Sequence, residues 1–295
     1  MTEIGLLGVP TNSAGRSDGV ANAPGALRAV GLTSAIEQVT TLVDYGDVTL
    51  PEPSAGRDAG TQVIDPNGLR ALVERVRDAV ASIVSDGRFP LVIGGDCPVL
   101  LGCVGALDAG GRAGLLFVDG HEDAYPPRRS TMGEAADMEL AFALGMVDTP
   151  WWPELPVSPP LVSPEHVQVL GPRDTRTLVA EGVPSLRDRL SFVDGSRLLA
   201  APAEETARAV GSLPRPWWFH LDLDVLSTDS LQAVDYPQDG GLGWDELDAV
   251  TSIALSAAPV GWDVTIYNPD LDPQRTSARR IVRFIREALG RAGRP

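Results

Sequence analysis

Lysine is absent from this sequence, so all 24 basic residues are arginine. They are outnumbered by 40 acidic residues, which gives a formal net charge of −16 at pH 7. A surface of this sign repels nucleic acid and anionic membranes, and both are therefore poor candidates as partners. It attracts cationic small molecules and divalent metal ions, although a solvated acidic surface is the commoner reason for such a charge.

Cysteine is scarce as well, and long hydrophobic runs are missing. Cys97 and Cys103 are six residues apart, and at helical spacing they would point to different faces and would not pair. No disulfide framework is expected, which fits a reducing cytoplasm. The first residues lack the basic start and apolar core of a signal peptide, and no apolar run has membrane-spanning length. We therefore expect a cytoplasmic protein.

Short apolar runs alternate with helical patterns along all 295 residues. This alternation predicts an α/β protein with a mainly parallel sheet, and residues 1–295 are predicted to be a single domain. Asn67 is predicted to cap a long amphipathic helix that ends near residue 85. Residues 149–164, with six prolines, predict an irregular surface segment. Strands are predicted at 4–9, 39–43, 89–93, 114–118, 167–170, 217–221 and 261–266.

Three of the apolar runs end abruptly in side chains that bind metals. In an open parallel sheet, ligands bind beyond the carboxyl ends of the strands, so these side chains are expected to meet at one edge. Taken singly, each acid is better explained as a helix cap or a turn residue, but three such strand ends together favour a metal site. The candidate metal ligands are Cys97 after the first run, Asp119, His121 and Asp123 after the second, and Asp222 and Asp224 after the third.

The chemistry of these side chains narrows the kind of metal site. Carboxylates with one imidazole suit Mn, Fe, Ni or Zn better than Mg or Ca, which prefer all-oxygen shells. The acids and the imidazole are too many for one four-coordinate ion, but they suit two ions that share bridging carboxylates. Two such ions can lower the pKa of a bridging water and direct it at an electrophilic carbon.

Together the motifs resemble those of the arginase/agmatinase (ureohydrolase) superfamily. The matching stretches are GGDC at 94–97, D-x-H-x-D at 119–123 and D-x-D at 222–224. Residues 19–28 and the Asn-Pro pair at 268–269 are also similar to that family. The resemblance implies a three-layer α/β/α fold with a central parallel sheet, and hydrolysis of a guanidino or amidino carbon by a metal-bridging hydroxide. It also leads us to expect a cationic small-molecule substrate and a homo-oligomer.

The resemblance further implies a ligand set for two Mn²⁺ ions, with Asp119 and Asp222 bridging. Asp123 is, in addition, a candidate catalytic carboxylate. One ion would be held by Cys97, Asp119, Asp123 and Asp222, and the other by His121, Asp119, Asp222 and Asp224.

Cys97 is the first departure from the family pattern, which usually has histidine after GGD. A cysteine here is similar to a branch of the superfamily that hydrolyses N-hydroxy-arginine. A thiolate would favour Zn or Fe more than histidine does. Cys97 could instead be a buried thiol that binds no metal, because free cysteines are often core residues.

Two further departures concern the substrate. The family's guanidinium-binding glutamate is replaced by Ile266, and a buried guanidinium without a carboxylate is strongly unfavourable. Either another acid supplies the charge, or the substrate is not a guanidine. The usual catalytic-loop histidine is also absent, so proton transfer would fall to Asp137, Glu139 or water. The candidate replacements for the glutamate are Asp235, Glu139 and Glu134.

Two side chains have open roles at this stage. Arg128 follows the second motif and could bind a substrate carboxylate. His220 precedes Asp222 by two residues, and it is either close to the metal site or a hydrogen-bonded core histidine.

The leading hypothesis is a metal-dependent hydrolase of linear C–N bonds. A non-catalytic or metal-poor binding or regulatory relative is one alternative, favoured by the three departures and opposed by the intact acids. A different amide or amidine hydrolase on the same metal platform is the other.

Overall fold

The protein, described by a computed structural model, contains one eight-stranded sheet with strand order β2-β1-β3-β8-β7-β4-β5-β6. The structure describes residues 3–107, 110–147, 157 and 160–292. All neighbouring strands within the sheet run parallel. The strands are β1 (Ile4–Val9), β2 (Leu42–Asp47), β3 (Phe89–Gly94), β4 (Gly114–Val118), β5 (Val167–Leu170), β6 (Ser191–Val193), β7 (Trp217–Asp222) and β8 (Trp262–Thr265).

Helices cover both faces of the sheet, and a separate hydrophobic core lies on each face. Val92 and Phe117 pack on one side with α3 to α6, whereas Ile93 and Leu221 pack on the other with α1, α2 and α7 to α10. The predicted three-layer α/β/α fold is confirmed. The helices are α1 (Ala23–Ala29), α2 (Leu32–Glu37), α3 (Pro66–Ser85), α4 (Val99–Gly105), α5 (Glu139–Ala143), α6 (Thr175–Glu181), α7 (Gly195–Ala200), α8 (Pro202–Ser212), α9 (Trp244–Ser256) and α10 (Thr276–Ala292).

The strand order brings the three motif-bearing strands to the centre of the sheet. β7 pairs with β4 on one side and with β8 on the other, and β8 pairs with β3. Because these strands are parallel, their carboxyl ends lie at the same edge. Residues far apart in sequence therefore meet there.

Some local predictions were wrong. Asp65, and not Asn67, caps α3, because its side chain accepts a hydrogen bond from the Gly68 amide and Pro66 occupies the first helical position. The second strand begins at Leu42 rather than at residue 39, since α2 precedes it.

The predicted helix over 133–144 is divided into a short 3-10 turn at Ala135–Asp137 and α5. Most of the predicted irregular segment, 149–164, lies outside the described residues. Within the described chain, none of the helices combines the length and apolar character needed to cross a bilayer.

Candidate metal centre

Asp119 follows β4 directly and is fully buried. Its Oδ1 accepts a hydrogen bond from the His121 amide at 2.6 Å. Donor atoms of Asp119, His121 and Asp224 all lie within 4.8 Å of one another, and His121 Nδ1 is 2.8 Å from Asp224 Oδ2. We call these three residues the outer donor group.

A second set of side chains meets on the inner side of Asp119. Donor atoms of Cys97, Asp119, Glu139 and His220 lie within 4.8 Å of one another, and all four residues are buried. We call these four residues the buried donor group. Asp119 belongs to both groups. Burial works to raise its pKa, but the imidazoles of His121 and His220 more than offset this and hold the pKa below its ordinary value.

Cys97 lies in the turn between β3 and α4, where its Sγ is 2.7 Å from Asp222 Oδ2 and 3.2 Å from Thr265 Oγ1. Burial, and then the charge of Asp222, raise the pKa of the Cys97 thiol well above its ordinary value. Without a metal the thiol is therefore protonated and donates a hydrogen bond to Asp222. A bound cation would be needed to favour the thiolate.

Asp222 and Asp123 adjoin the two donor groups. Asp222 Oδ1 accepts a hydrogen bond from the Asp224 amide at 2.6 Å, which closes a tight turn at the end of β7. Asp123 has a left-handed backbone with φ of 42°, an uncommon conformation for a residue other than glycine. Burial, and then the charge of Glu139, raise the pKa of Asp123 well above its ordinary value.

Glu139, the first residue of α5, is fully buried, and its carboxyl group lies against that of Asp123. Two backbone hydrogen bonds fix its segment against the second motif: the Tyr125 amide donates to the Asp137 carbonyl, and the Leu140 amide donates to the Asp123 carbonyl. Burial, and then Asp119, raise the pKa of Glu139 well above its ordinary value.

His220 lies on β7 with a different environment at each ring nitrogen. Nδ1 is 2.6 Å from Asp263 Oδ2, and Trp218 Nε1 donates to Asp263 Oδ1 at 2.5 Å. Nε2 is 3.8 Å from Asp119 Oδ2 and has no hydrogen-bond partner among the described residues. Burial would lower the pKa of His220, but the carboxylates of Asp263 and Asp119 raise it to about 10.

The unpartnered atoms of the buried donor group test whether these residues fit a metal ion. Buried polar atoms are normally hydrogen-bonded, yet Asp119 Oδ2 and His220 Nε2 lie 3.8 Å apart, beyond hydrogen-bond distance, and the Glu139 carboxyl group lies against Asp123, another acid. Sulfur, imidazole nitrogen and carboxylate oxygen are the donors that Mn, Fe and Zn take in proteins. The residues therefore fit a divalent metal.

A profile of the arginase family matches residues 2–290. The chain belongs to the arginase family. It is 27% identical to Bacillus caldovelox arginase over 305 residues, covering 98% of this chain and 99% of that protein. It is also 27% identical to human arginase-1 over 288 residues, covering 95% and 89%.

Solved structures agree with this placement at the level of the fold. Bacillus caldovelox arginase superimposes with a TM-score of 0.85 at 23% identity, covering 98% of this chain and 99% of that one. Trypanosoma cruzi formiminoglutamase gives 0.73 at 20% identity, covering 100% and 94%. The predicted family and a ureohydrolase-type hydrolase are confirmed. The individual ligand assignments, Cys97 included, stay predictions.

The remaining predicted site residues lie between β4 and α5 or in the segment between β7 and α9. Glu134 is half-buried and accepts a hydrogen bond from the Tyr236 hydroxyl at 3.1 Å. Asp235 accepts one from Asn268 Nδ2 at 2.6 Å. Asp137 is buried and lies outside both donor groups, whereas Arg128 is exposed.

The sequence of this arginase-family chain did not predict the contact between His220 and Asp263. Trp218, His220 and Asp222 alternate along β7 and so face the same side of the sheet, a spacing that is visible in the sequence. Asp263, however, comes from the neighbouring strand, where it is paired with His220 in register. Nothing local in the sequence indicates that contact.

Proposed function

We propose that this protein hydrolyses a linear C–N bond of a guanidino or amidino compound at a centre of two divalent cations. The observation that carries the proposal is the position of Asp119, which contributes to both donor groups at the edge where the motif strands end. A carboxylate shared in this way offsets the repulsion between two neighbouring cations. It therefore supports two adjacent ions rather than one.

The proposed cations are Mn²⁺, with zinc, iron or nickel as alternatives. When bound, such a pair lowers the pKa of a water molecule and so supplies a nucleophile at neutral pH. Manganese is named for the formiminoglutamase structure from Trypanosoma cruzi, which supports this choice by family membership. The residues proposed to hold the ions are Cys97, Asp119, Asp123 and Asp222 for one, and His121, Asp119, Asp222 and Asp224 for the other.

Glu134 and Asp235 are proposed to bind the cationic group of the substrate. The family's glutamate is replaced by Ile266, which is buried and offers no charge. Burial, and then the charges of Asp96 and Asp235, raise the pKa of Glu134, which supports placing Asp235 near Glu134. Paired carboxylates suit an amidinium or guanidinium because it presents several N–H donors in one plane. Arg128, exposed on its loop, stays the candidate for a substrate carboxylate.

Asp137 is proposed to protonate the leaving amine. Its Oδ2 accepts a hydrogen bond from Ser130 Oγ at 2.6 Å, whereas Oδ1 is buried and has no partner among the described residues. Burial raises the pKa of Asp137 to about 7, so that its carboxyl group can hold a proton near neutral pH.

A substrate panel tests the proposed function. Manganese-loaded protein is incubated with arginine, agmatine, N-hydroxy-arginine and N-formiminoglutamate, and the release of urea, hydroxyurea, formamide and ammonia is measured. We expect turnover of at least one compound, loss of turnover after chelation, and a raised KM without loss of metal in Glu134→Gln. Fully loaded protein that turns over none of them would contradict the proposal and favour a binding role.

Family membership also leads us to propose a homo-oligomer that functions in the cytoplasm. Light scattering coupled to size-exclusion chromatography measures the subunit count. A monomer at micromolar concentration would contradict the proposed assembly.

A further inference from the structure

Arg173 lies in the connection between β5 and α6, at the edge of the sheet where the motif strands end. Its guanidinium group donates hydrogen bonds to five backbone carbonyl oxygens in two segments. We call these segments the Asp224 turn, residues 222–226, and the Asp235 loop, residues 227–242. The acceptors are the carbonyls of Asp224 at 2.7 Å, Leu226 at 3.1 Å, Asp239 at 3.2 Å, Gln238 at 3.4 Å and Val225 at 3.5 Å.

The Asp235 loop has little secondary structure of its own to hold it in place. An isolated bridge between Leu226 and Leu242 joins its two ends, and no helix or strand lies between them. The loop carries Asp235, one of the two acids proposed to bind the substrate. Backbone carbonyls in such a loop need donors from other parts of the chain. Arg173 supplies these donors, and the same side chain also supplies them to the Asp224 turn.

Gly120, in the second motif, leaves the space that this guanidinium group occupies. The Gly120 carbonyl accepts a hydrogen bond from the Arg173 amide at 2.9 Å, and the Gly120 amide donates to Asp224 Oδ1 at 2.9 Å. A Cβ added at Gly120 would lie 2.6 Å from Arg173 Nη1 and 2.7 Å from Asp224 Oδ1, closer than real contacts allow. The three residues are therefore packed against one another, so that a shift of Arg173 disturbs Asp224.

Lysine cannot replace Arg173 in this arrangement, although it has the same charge. Arginine presents five N–H donors in a rigid plane, whereas lysine has a single nitrogen with three. Five carbonyls cannot be satisfied by three donors, so a lysine would leave at least two of them without this partner. The shape of the guanidinium group, and not its charge alone, joins the two segments.

We propose that Arg173 is a positioning residue that holds the Asp235 loop against the Asp224 turn. The inference rests on the proposed function in taking Asp224 as a metal ligand and Asp235 as a substrate-binding acid. Through the loop, Arg173 strengthens binding of the cationic end of the substrate. Through the turn, it keeps the Asp224 carboxylate in place for the outer donor group. Arg173 acts through these residues and belongs to neither the catalytic nor the metal-binding groups.

Hydrogen–deuterium exchange tests the positioning role without any substrate. The full-length chain loaded with Mn²⁺ is compared with Arg173→Gln and Arg173→Lys, and amide exchange is followed by mass spectrometry. Local opening exposes amides, so those of residues 225–241 should exchange at least about ten-fold faster in both variants, while those of α3 stay unchanged. Parent-like exchange of residues 225–241 would overturn the proposal. Faster exchange throughout the chain, α3 included, would also contradict it, because overall stability would then be the property that changes.

Metal titration and kinetics then test the consequence for the centre. Arg173→Lys keeps the charge, and it provides the test if Arg173→Gln does not fold. The metal-free chain is titrated with Mn²⁺, and binding is measured by the loss of the free-ion electron paramagnetic resonance signal. We expect Arg173→Lys to bind one of the two ions several-fold more weakly. With both positions filled, KM should rise several-fold while kcat changes less. Unchanged metal affinity and KM would overturn the proposal, because the loop would then move without affecting the centre.

Arg215→Gln is the matched control. Arg215 also donates to backbone carbonyls, those of Ala257 at 2.6 Å and Ala258 at 2.8 Å, but it precedes β7 and so lies at the opposite edge of the sheet. Its variant should keep the parent exchange and metal affinity. If exchange and metal binding change as expected while the substrate panel shows no turnover, the proposed function fails and the positioning role stands. If the panel shows turnover while the Arg173 variants exchange like the parent, the reverse holds.

Discussion

Asp119 is the one side chain shared by both donor groups, and its removal should therefore affect both ions. We expect Asp119→Ala to abolish metal loading at both positions, because both proposed ligand sets contain Asp119 and its loss leaves Asp222 as the one bridging carboxylate between the two cations. Asp224→Ala removes a donor from the outer group alone and should cost about one ion per chain. Elemental analysis after dialysis against excess metal measures both. An equal, partial loss in the two variants would show that Asp119 does not bridge.

The side chain at position 97 should determine which metal ion the centre prefers. Imidazole is a harder ligand than thiolate, so Cys97→His should shift loading toward manganese. The measurement is the Mn-to-Zn ratio bound from an equimolar mixture, and we expect it to rise several-fold. Cys103→Ala is the control, since Cys103 is a buried thiol in α4 outside both donor groups. An unchanged ratio in Cys97→His would identify Cys97 as a core thiol.

The packing of α3 against α4 helps to position Cys97, because α4 begins two residues after it. A Cβ added at Gly102 would lie 2.6 Å from Val76 Cβ on α3, closer than real contacts allow. Gly102→Ala should therefore force the helices apart and cost about 1–3 kcal/mol of unfolding free energy. Urea unfolding measures this cost.

Gly211→Ala in α8 is the control for the change in helix propensity. A Cβ there meets nothing within 4 Å, so this variant should be neutral or stabilised by up to about 1 kcal/mol. If both variants were equally stable, the close approach of α3 and α4 would not constrain the position of Cys97.

At the scale of the whole molecule, buried carboxyl groups should make the metal-free protein less stable as the pH rises. Burial raises the pKa of Asp137 to about 7 and that of Asp174 to about 6. Between their ordinary values and these values, the folded state binds more protons than the unfolded state. Stability is therefore lost as the pH rises through that window, from about 4 to about 7.

Asp137→Asn isolates one of these contributions, because the amide does not titrate. The variant should lose part of the pH dependence, on the order of a few kcal/mol between pH 5 and 7. Unfolding free energies of both metal-free proteins at several pH values between 5 and 7.5 provide the measurement. Parallel curves for the parent and the variant would mean that Asp137 titrates normally in the folded protein.

The fold class and the residue types at the strand ends could both be predicted from local sequence patterns. Runs such as 114–118 are apolar without alternation because helices cover both faces of the sheet. A continuous apolar run therefore predicts a strand that is buried on both faces. The motifs at 94–97, 119–123 and 222–224 are likewise local, so the family could be predicted from their order and spacing.

Which of these side chains lie in contact depends on the order of the strands in the sheet. The order β3-β8-β7-β4 places Asp263 beside His220, and no pattern in the sequence specifies which strands are neighbours. The burial of Glu139 depends on α5 bonding back to Asp123. Such contacts join residues that are distant along the chain, so propensity and periodicity, which act over a few residues, carry no information about them.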